Sequence, residues 1–218
     1  MVRKLFKNFT LQAFTLIELL VSISIMAIIL GITLSGGPQA IMRLSLSDAT
    51  YTAELSIREA QLQGSAINSL NDTYGGAGVY FDLASTTYVS KFRDRVDPTI
   101  KHSIGVGNGL YDQSGVDELD VRQVIAAKHR VAKLCVRSGV GAFVCNDANV
   151  PPISNLTISF TRPSQNTQIY INNSTTTNYG AACIQIDSLK APAPGYVRSI
   201  LVYKSGMITK RLNGCDNI

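Results

Sequence analysis

Residues 14–34 read FTLIELLVSISIMAIILGITL, an apolar run of 21 residues interrupted by a single ionisable group, Glu18. A helix of that length rises by about 1.5 Å per residue and spans roughly the 30 Å of a bilayer's hydrocarbon core. The thirteen residues before it, MVRKLFKNFTLQA, carry Arg3, Lys4 and Lys7 and no acid. That charge bias favours a cytoplasmic N-terminus. A lone carboxylate one turn inside an apolar segment costs free energy in lipid unless a partner meets it. A secretory signal explains the run less well. Its apolar core is about 7–15 residues and ends in a small-x-small site, whereas this run is longer, holds an acid, and has Pro38 where GPQA would need a small residue. A plain single-pass anchor explains the hydrophobicity but not Glu18. A helix buried in a soluble core is usually shorter.

The formal charge is +5, from 20 basic and 15 acidic residues. Without Arg3, Lys4 and Lys7 the chain keeps 17 basic residues against 15 acids, or +2. Most of the apparent basicity therefore sits in the leader. Past the helix enough chain remains for one domain with its own core, and it is rich in Gly, Ser, Thr and Asn without long charged runs.

From Ile41 an apolar stripe runs through Leu44, Tyr51, Leu55, Leu62 and Ala66 at helical steps, with a flanking stripe at Ala53, Ile57, Ala60 and Ile67. The first stripe is expected to bury the helix against a sheet, although Asp48 and Arg58 share its face. Pro38 is expected near a bend or a first turn, and the helix to end around Asn71, before Gly75-Gly76. After that the period changes to two. GVYFDL (78–83) and TYVSKF (87–92) form a candidate hairpin. LTISF puts Leu156, Ile158 and Phe160 inward against Thr157 and Ser159, and Ile169 and Ile171 share a face. CIQI (183–186) and SILVYKSGMITKRL (199–212), turning at Ser205-Gly206, follow. VRQVIAAKHR reads as helix or strand. The expected fold is α+β: a long N-terminal helix, membrane-spanning in its first half, packed on a C-terminal antiparallel β-sheet domain. Its expected segments are a leader at 1–13, the membrane half at 14–34, an amphipathic half at 35–71 and an extracytoplasmic domain at 72–218.

Four cysteines, Cys135, Cys145, Cys183 and Cys215, all lie in the C-terminal half. An even count in an exported domain points to disulfides, for which three connectivities exist. LCVRSGVGAFVC looks like two short strands around a glycine-containing turn, which favours Cys135–Cys145 and leaves Cys183–Cys215 to pin the C-terminal tail. No CxxC pair is present and His102 and His129 stand apart from the cysteines, so a metal site is not expected.

Catalytic patterns are absent from the sequence: no GxSxG, HExxH or P-loop. No enzyme activity and no cofactor are expected. Asp72, Asp82, Asp94 and Asp97 are scattered acids. Arg122, Lys128, Arg130, Lys133 and Arg137 make the densest basic stretch. Nucleic-acid binding would require them to converge on one face. If residues 130–137 form a regular strand, Arg130 points away from Lys133 and Arg137. A solvated strand face is the favoured reading.

FTLIELL, the basic leader and the placing of Glu18 resemble the N-terminal motif of type IV pilins and pseudopilins. The resemblance implies cleavage by a prepilin peptidase between Ala13 and Phe14, where the family usually has glycine before the cut. N-methylation of Phe14 would follow. Counted from Phe14, Glu18 is the fifth residue, where the family keeps a glutamate that attracts the amine of a neighbouring subunit. Arg58, Glu59 and Ala60 in AELSIREAQLQGSAI, with FTRP at 160–163, resemble minor pseudopilins of the GspH/FimT branch. The implied partners are other pilin subunits, the peptidase and an inner-membrane assembly platform. The implied location is the inner membrane, single-pass, then an extracytoplasmic filament. A DNA-uptake pilin and a membrane-anchored adhesin, with specificity in loops around 93–120 and 172–181, are the alternatives.

Overall fold

The computed structural model describes residues 15–66, 74–95, 108–111, 121–125, 128–147, 152–161, 167–190 and 196–215. They divide into two units, Met1–Ile41 and Met42–Ile218. One helix, α1 (Leu16–Ala66), crosses that division. In the first unit, Leu16–Thr33 is long and apolar enough to cross a membrane, with mean hydropathy 2.4 and no buried residue. Its hydroxyls are quenched within the helix. Ser22 donates to the Glu18 carbonyl at 2.8 Å and Ser24 to the Leu20 carbonyl at 2.8 Å. Thr33 donates to the Ile29 carbonyl at 3.0 Å. Such back-bonding lets small polar residues sit in an apolar surrounding at little cost. The helix continues through Pro38, and the expected end near Asn71 lies outside the described residues.

The second unit joins the C-terminal part of α1 to two antiparallel five-stranded sheets. The first sheet is built from β1 (Tyr74–Asp82), β2 (Tyr88–Arg95), β3 (Val121–Val124), β6 (Asn155–Thr161) and β7 (Thr167–Ile171). Its order is β3-β2-β1-β6-β7. The second contains β4 (His129–Arg137), β5 (Val144–Cys145), β8 (Ala181–Ser188), β9 (Val197–Tyr203) and β10 (Ile208–Arg211), ordered β10-β9-β8-β4-β5. The β1–β2 hairpin and the β9–β10 turn stand where the period-two pattern put them. Gly206, at φ 84°, supplies the left-handed residue of that turn. VRQV resolves as a strand, and the expected antiparallel β-sheet domain comprises two sheets.

One core takes residues from both sheets and the helix. It includes Val79, Phe81, Leu156 and Ile158 from the first sheet, and Val131, Leu134, Ile184 and Ile200 from the second. From α1 it takes Leu46, Ala49, Ala53, Ile57 and Ala60. The helix therefore buries the flanking stripe, not the one expected. Leu44 and Leu62 are 71% and 70% exposed, while Ala53 is fully buried. Ala53 and Leu62 are nine residues apart, about half a turn out of phase. Small side chains decide the choice, because alanines bring the helix backbone close to the strands. At Gly64 a Cβ would collide with the Phe160 carbonyl, so the last helical turn also relies on close approach.

Leu156, Ile158 and Phe160 of β6 face the core as the alternation predicts. Thr157 and Ser159 are as buried as Leu156 and Ile158, because the face away from the core is itself covered. Tyr80, Phe92 and Tyr111 form a separate apolar cluster there.

Candidate functional site

The helix begins at a capped end. Thr15 precedes the first helical residue, and its Oγ1 accepts the Glu18 N–H at 3.4 Å. The Thr15 hydroxyl in turn lies 3.5 Å from the Glu18 carboxylate, to which it donates. Thr-x-x-Glu is the pattern of a capping box, and a carboxylate in the first turn also suits the positive end of the helix dipole. Glu18 is thus held at the third helical position, facing outward. Ala13 and Phe14, the expected cleavage and methylation residues, lie outside the described residues, as does the leader.

The cysteines lie together on the side of the second sheet away from the main core. Cys135 is bonded to Cys145 and Cys183 to Cys215. Cys135 and Cys145 are register partners on β4 and β5, and Cys135 also faces Cys183 across β4 and β8. Cys215 is further fixed by its own N–H, which donates to the Gln185 Oε1 at 3.0 Å. Two covalent links therefore brace one patch of the sheet and tie the C-terminal segment to its central strand, β8.

The basic stretch is arranged differently from the simple alternation. A register shift between Val131 and Lys133 makes a β-bulge, which reverses the facing of every later residue. Val131, Leu134 and Val136 consequently share the core face. Arg130, Lys133 and Arg137 pair with Asp187, Gln185 and Ala181 and so share the other. The three cations are brought to one face after all. Two are neutralised there: Arg130 by Asp187 at 3.0 Å and Lys133 by Asp147 at 2.8 Å. The Arg137 guanidinium lies over the Phe143 ring at 4.8 Å. Arg122 stands apart on β3, in the other sheet.

Two features escaped the sequence reading. One is a pocket on the first sheet lined by tyrosines. The other is Glu54, buried on α1 between Arg58 at 2.8 Å and Lys210 of β10 at 2.8 Å. An i, i+4 Glu–Arg pair is visible in sequence, but the Lys210 partner is set only by the fold. Burial opposes the charged carboxylate, yet the hydrogen bonds and charges of Lys210 and Arg58 outweigh it and hold the group below its ordinary value of 4.5. A depressed folded-state value means the ion pair's contribution is complete above the unfolded value and is lost as pH falls through the folded one. Glu54→Gln is expected to destabilise the domain by about 1–2 kcal/mol at neutral pH, the partners being half exposed. Urea titrations of both proteins should converge in acid, and a gap that is constant with pH would exclude the ion pair as its cause.

Among the described residues no three His, Cys, Asp or Glu side chains converge as a metal would require. His129 is buried on β4, its Nε2 2.9 Å from the Ser45 Oγ on α1, where it joins helix to sheet. Residues 12–34 match the family model described as the prokaryotic N-terminal methylation motif. Neither a curated protein nor a solved structure matches the chain.

Proposed function

We propose that this chain, type IV pilin-like by its N-terminal methylation motif, is a minor pilin or pseudopilin of the GspH/FimT kind. In this reading it is held in the inner membrane by the apolar segment, trimmed by prepilin peptidase between Ala13 and Phe14, and methylated at Phe14. It is then drawn by an assembly platform into a filament with other pilin subunits. The observation that carries the reading is the coincidence of the motif with a capped helix end presenting Glu18. The lipid-matched stretch has no buried residue, so subunit packing in a filament can replace lipid around it. The outward stripe of Leu44, Tyr51, Leu55 and Leu62 would extend that packing beyond the bilayer.

Mass spectrometry of membrane-extracted protein tests the processing step. The expected N-terminus is N-methylated Phe14, with residues 1–13 gone. An intact leader in cells with an active peptidase would overturn the family role.

The shared face of Arg130, Lys133 and Arg137 favours one second reading, a DNA-capturing minor pilin. Ion pairs to Asp187 and Asp147 count against it, since a phosphate must displace them to be neutralised. It would need a steeply salt-dependent duplex shift that disappears in a Lys133→Ala/Arg137→Ala variant.

A further inference from the structure

The face of the first sheet turned from the main core carries a polar pocket. Tyr80, Ser90 and Arg122 are register partners across β1, β2 and β3, so their side chains stand in one row. Tyr88 and Asp82 flank that row, and Tyr111 covers it. Tyr111 is placed by its own short segment. The Gly109 N–H donates to the buried Asp94 carboxylate at 2.6 Å, and two residues later the Tyr111 ring stacks on Tyr80 at 4.6 Å. Gly109 has φ +75°, a conformation that favours glycine, and an added Cβ would have to displace the Gln168 side-chain amide.

Tyr80 and Ser90 are only 6% and 8% exposed, yet among the described residues neither hydroxyl has a hydrogen-bond partner. Neither oxygen is among the buried side-chain atoms left without a partner, so both hydroxyls are open to solvent. Both line the pocket, so their unfilled capacity is directed into it. Burial, with Asp82 and Tyr111 adding to it, pushes the Tyr80 phenol up to about 12, and it remains a donor throughout the physiological range.

We propose that this pocket binds an uncharged saccharide ring. Hydroxyls that both donate and accept match a polyol, whose hydroxyls do the same. The lining carries one carboxylate, Asp82, and one guanidinium, Arg122, so its formal charges sum to zero and suit a neutral ligand. Tyr88, 42% exposed at the rim, offers an aromatic face to the apolar side of a sugar ring. The space is about 40 Å³, so the pocket takes the edge of a ring while the remainder lies against Tyr88. The site would give the filament subunit a contact with a glycan surface. It goes beyond the assembly role and does not depend on it.

The test uses the full chain in lipid nanodiscs, which avoids sugar-based detergents, and saturation-transfer NMR with the methyl glycosides of glucose, galactose, mannose and N-acetylglucosamine. Saturation transfer to the ring protons of at least one glycoside at millimolar concentration is expected. Tyr80→Phe keeps the ring stack and removes one hydroxyl, and should weaken binding by about fivefold. Tyr88→Ala removes the exposed wall without touching the core, and should abolish the signal. Inorganic phosphate should not compete. Absence of transfer from every glycoside, transfer unchanged in both variants, or displacement by phosphate would each overturn the proposal. N-terminal processing, read separately, reports on the filament role alone.

Discussion

Glu18→Gln is expected to insert and be trimmed like the natural chain but to enter filaments about tenfold less, or not at all. The substitution separates two duties of this residue. Glutamine at the third helical position can still serve a capping box, so the Thr15–Glu18 geometry has a neutral counterpart and the helix start is retained. Only the charge is lost. Two unit charges about 4 Å apart interact by about 4 kcal/mol at an effective dielectric near 20, and even a third of that is tenfold in an equilibrium. Glu18→Val should assemble no better, and its more apolar segment should stay in the membrane at least as well. The readout is the ratio of sheared-filament to membrane-bound subunit, with the trimmed mass checked in both fractions. Normal incorporation of Glu18→Gln would remove the docking charge from the mechanism and leave capping as the residue's role.

The helix, the hairpins and the turn at Gly206 were legible because each rests on local periodicity or on one special residue. What the sequence did not disclose is what non-local contact decides. Two apolar stripes run along residues 41–66, and periodicity marks both without ranking them. Close approach to two sheets selected the alanine-rich one, leaving Tyr51 to hold the Lys210 ammonium 5.3 Å above its ring. The bulge in β4 is likewise invisible in a run such as HRVAKLCVR, where a single extra residue reverses the facing of Lys133 and Arg137. The tyrosine pocket draws on residues from 80 to 122, a juxtaposition that only strand register provides. Alternation held in β6, with Leu156, Ile158 and Phe160 in the core, but it did not disclose that Thr157 and Ser159 are buried as well, on the face that carries the cluster of Tyr80, Phe92 and Tyr111.

Removal of the two disulfides should produce the largest loss of stability. Their loops enclose 10 and 32 residues, for which chain-entropy reasoning gives about 3 and about 4 kcal/mol. At roughly 2–4 °C per kcal/mol for a domain of this size, Cys183→Ala/Cys215→Ala should melt about 10 °C lower than the natural chain. Cys135→Ala/Cys145→Ala should fall by somewhat less. The combined variant should not show the simple sum, because Cys135 and Cys183 face one another in register and residues in contact couple. Loosening one link leaves a void beside the other, in a cluster that includes fully buried Leu201. The tail is the more exposed to this loss. Without Cys215 its remaining described ties to β8 and β9 are single hydrogen bonds, such as the Ser199 Oγ donating to the Asn213 carbonyl at 2.7 Å. Limited proteolysis should therefore cut first near residues 212–218 in the Cys183/Cys215 variant and not in the other. Equal melting points for the two pairs would locate the stabilisation outside loop closure. Four free thiols in exported protein would overturn the disulfide framework itself.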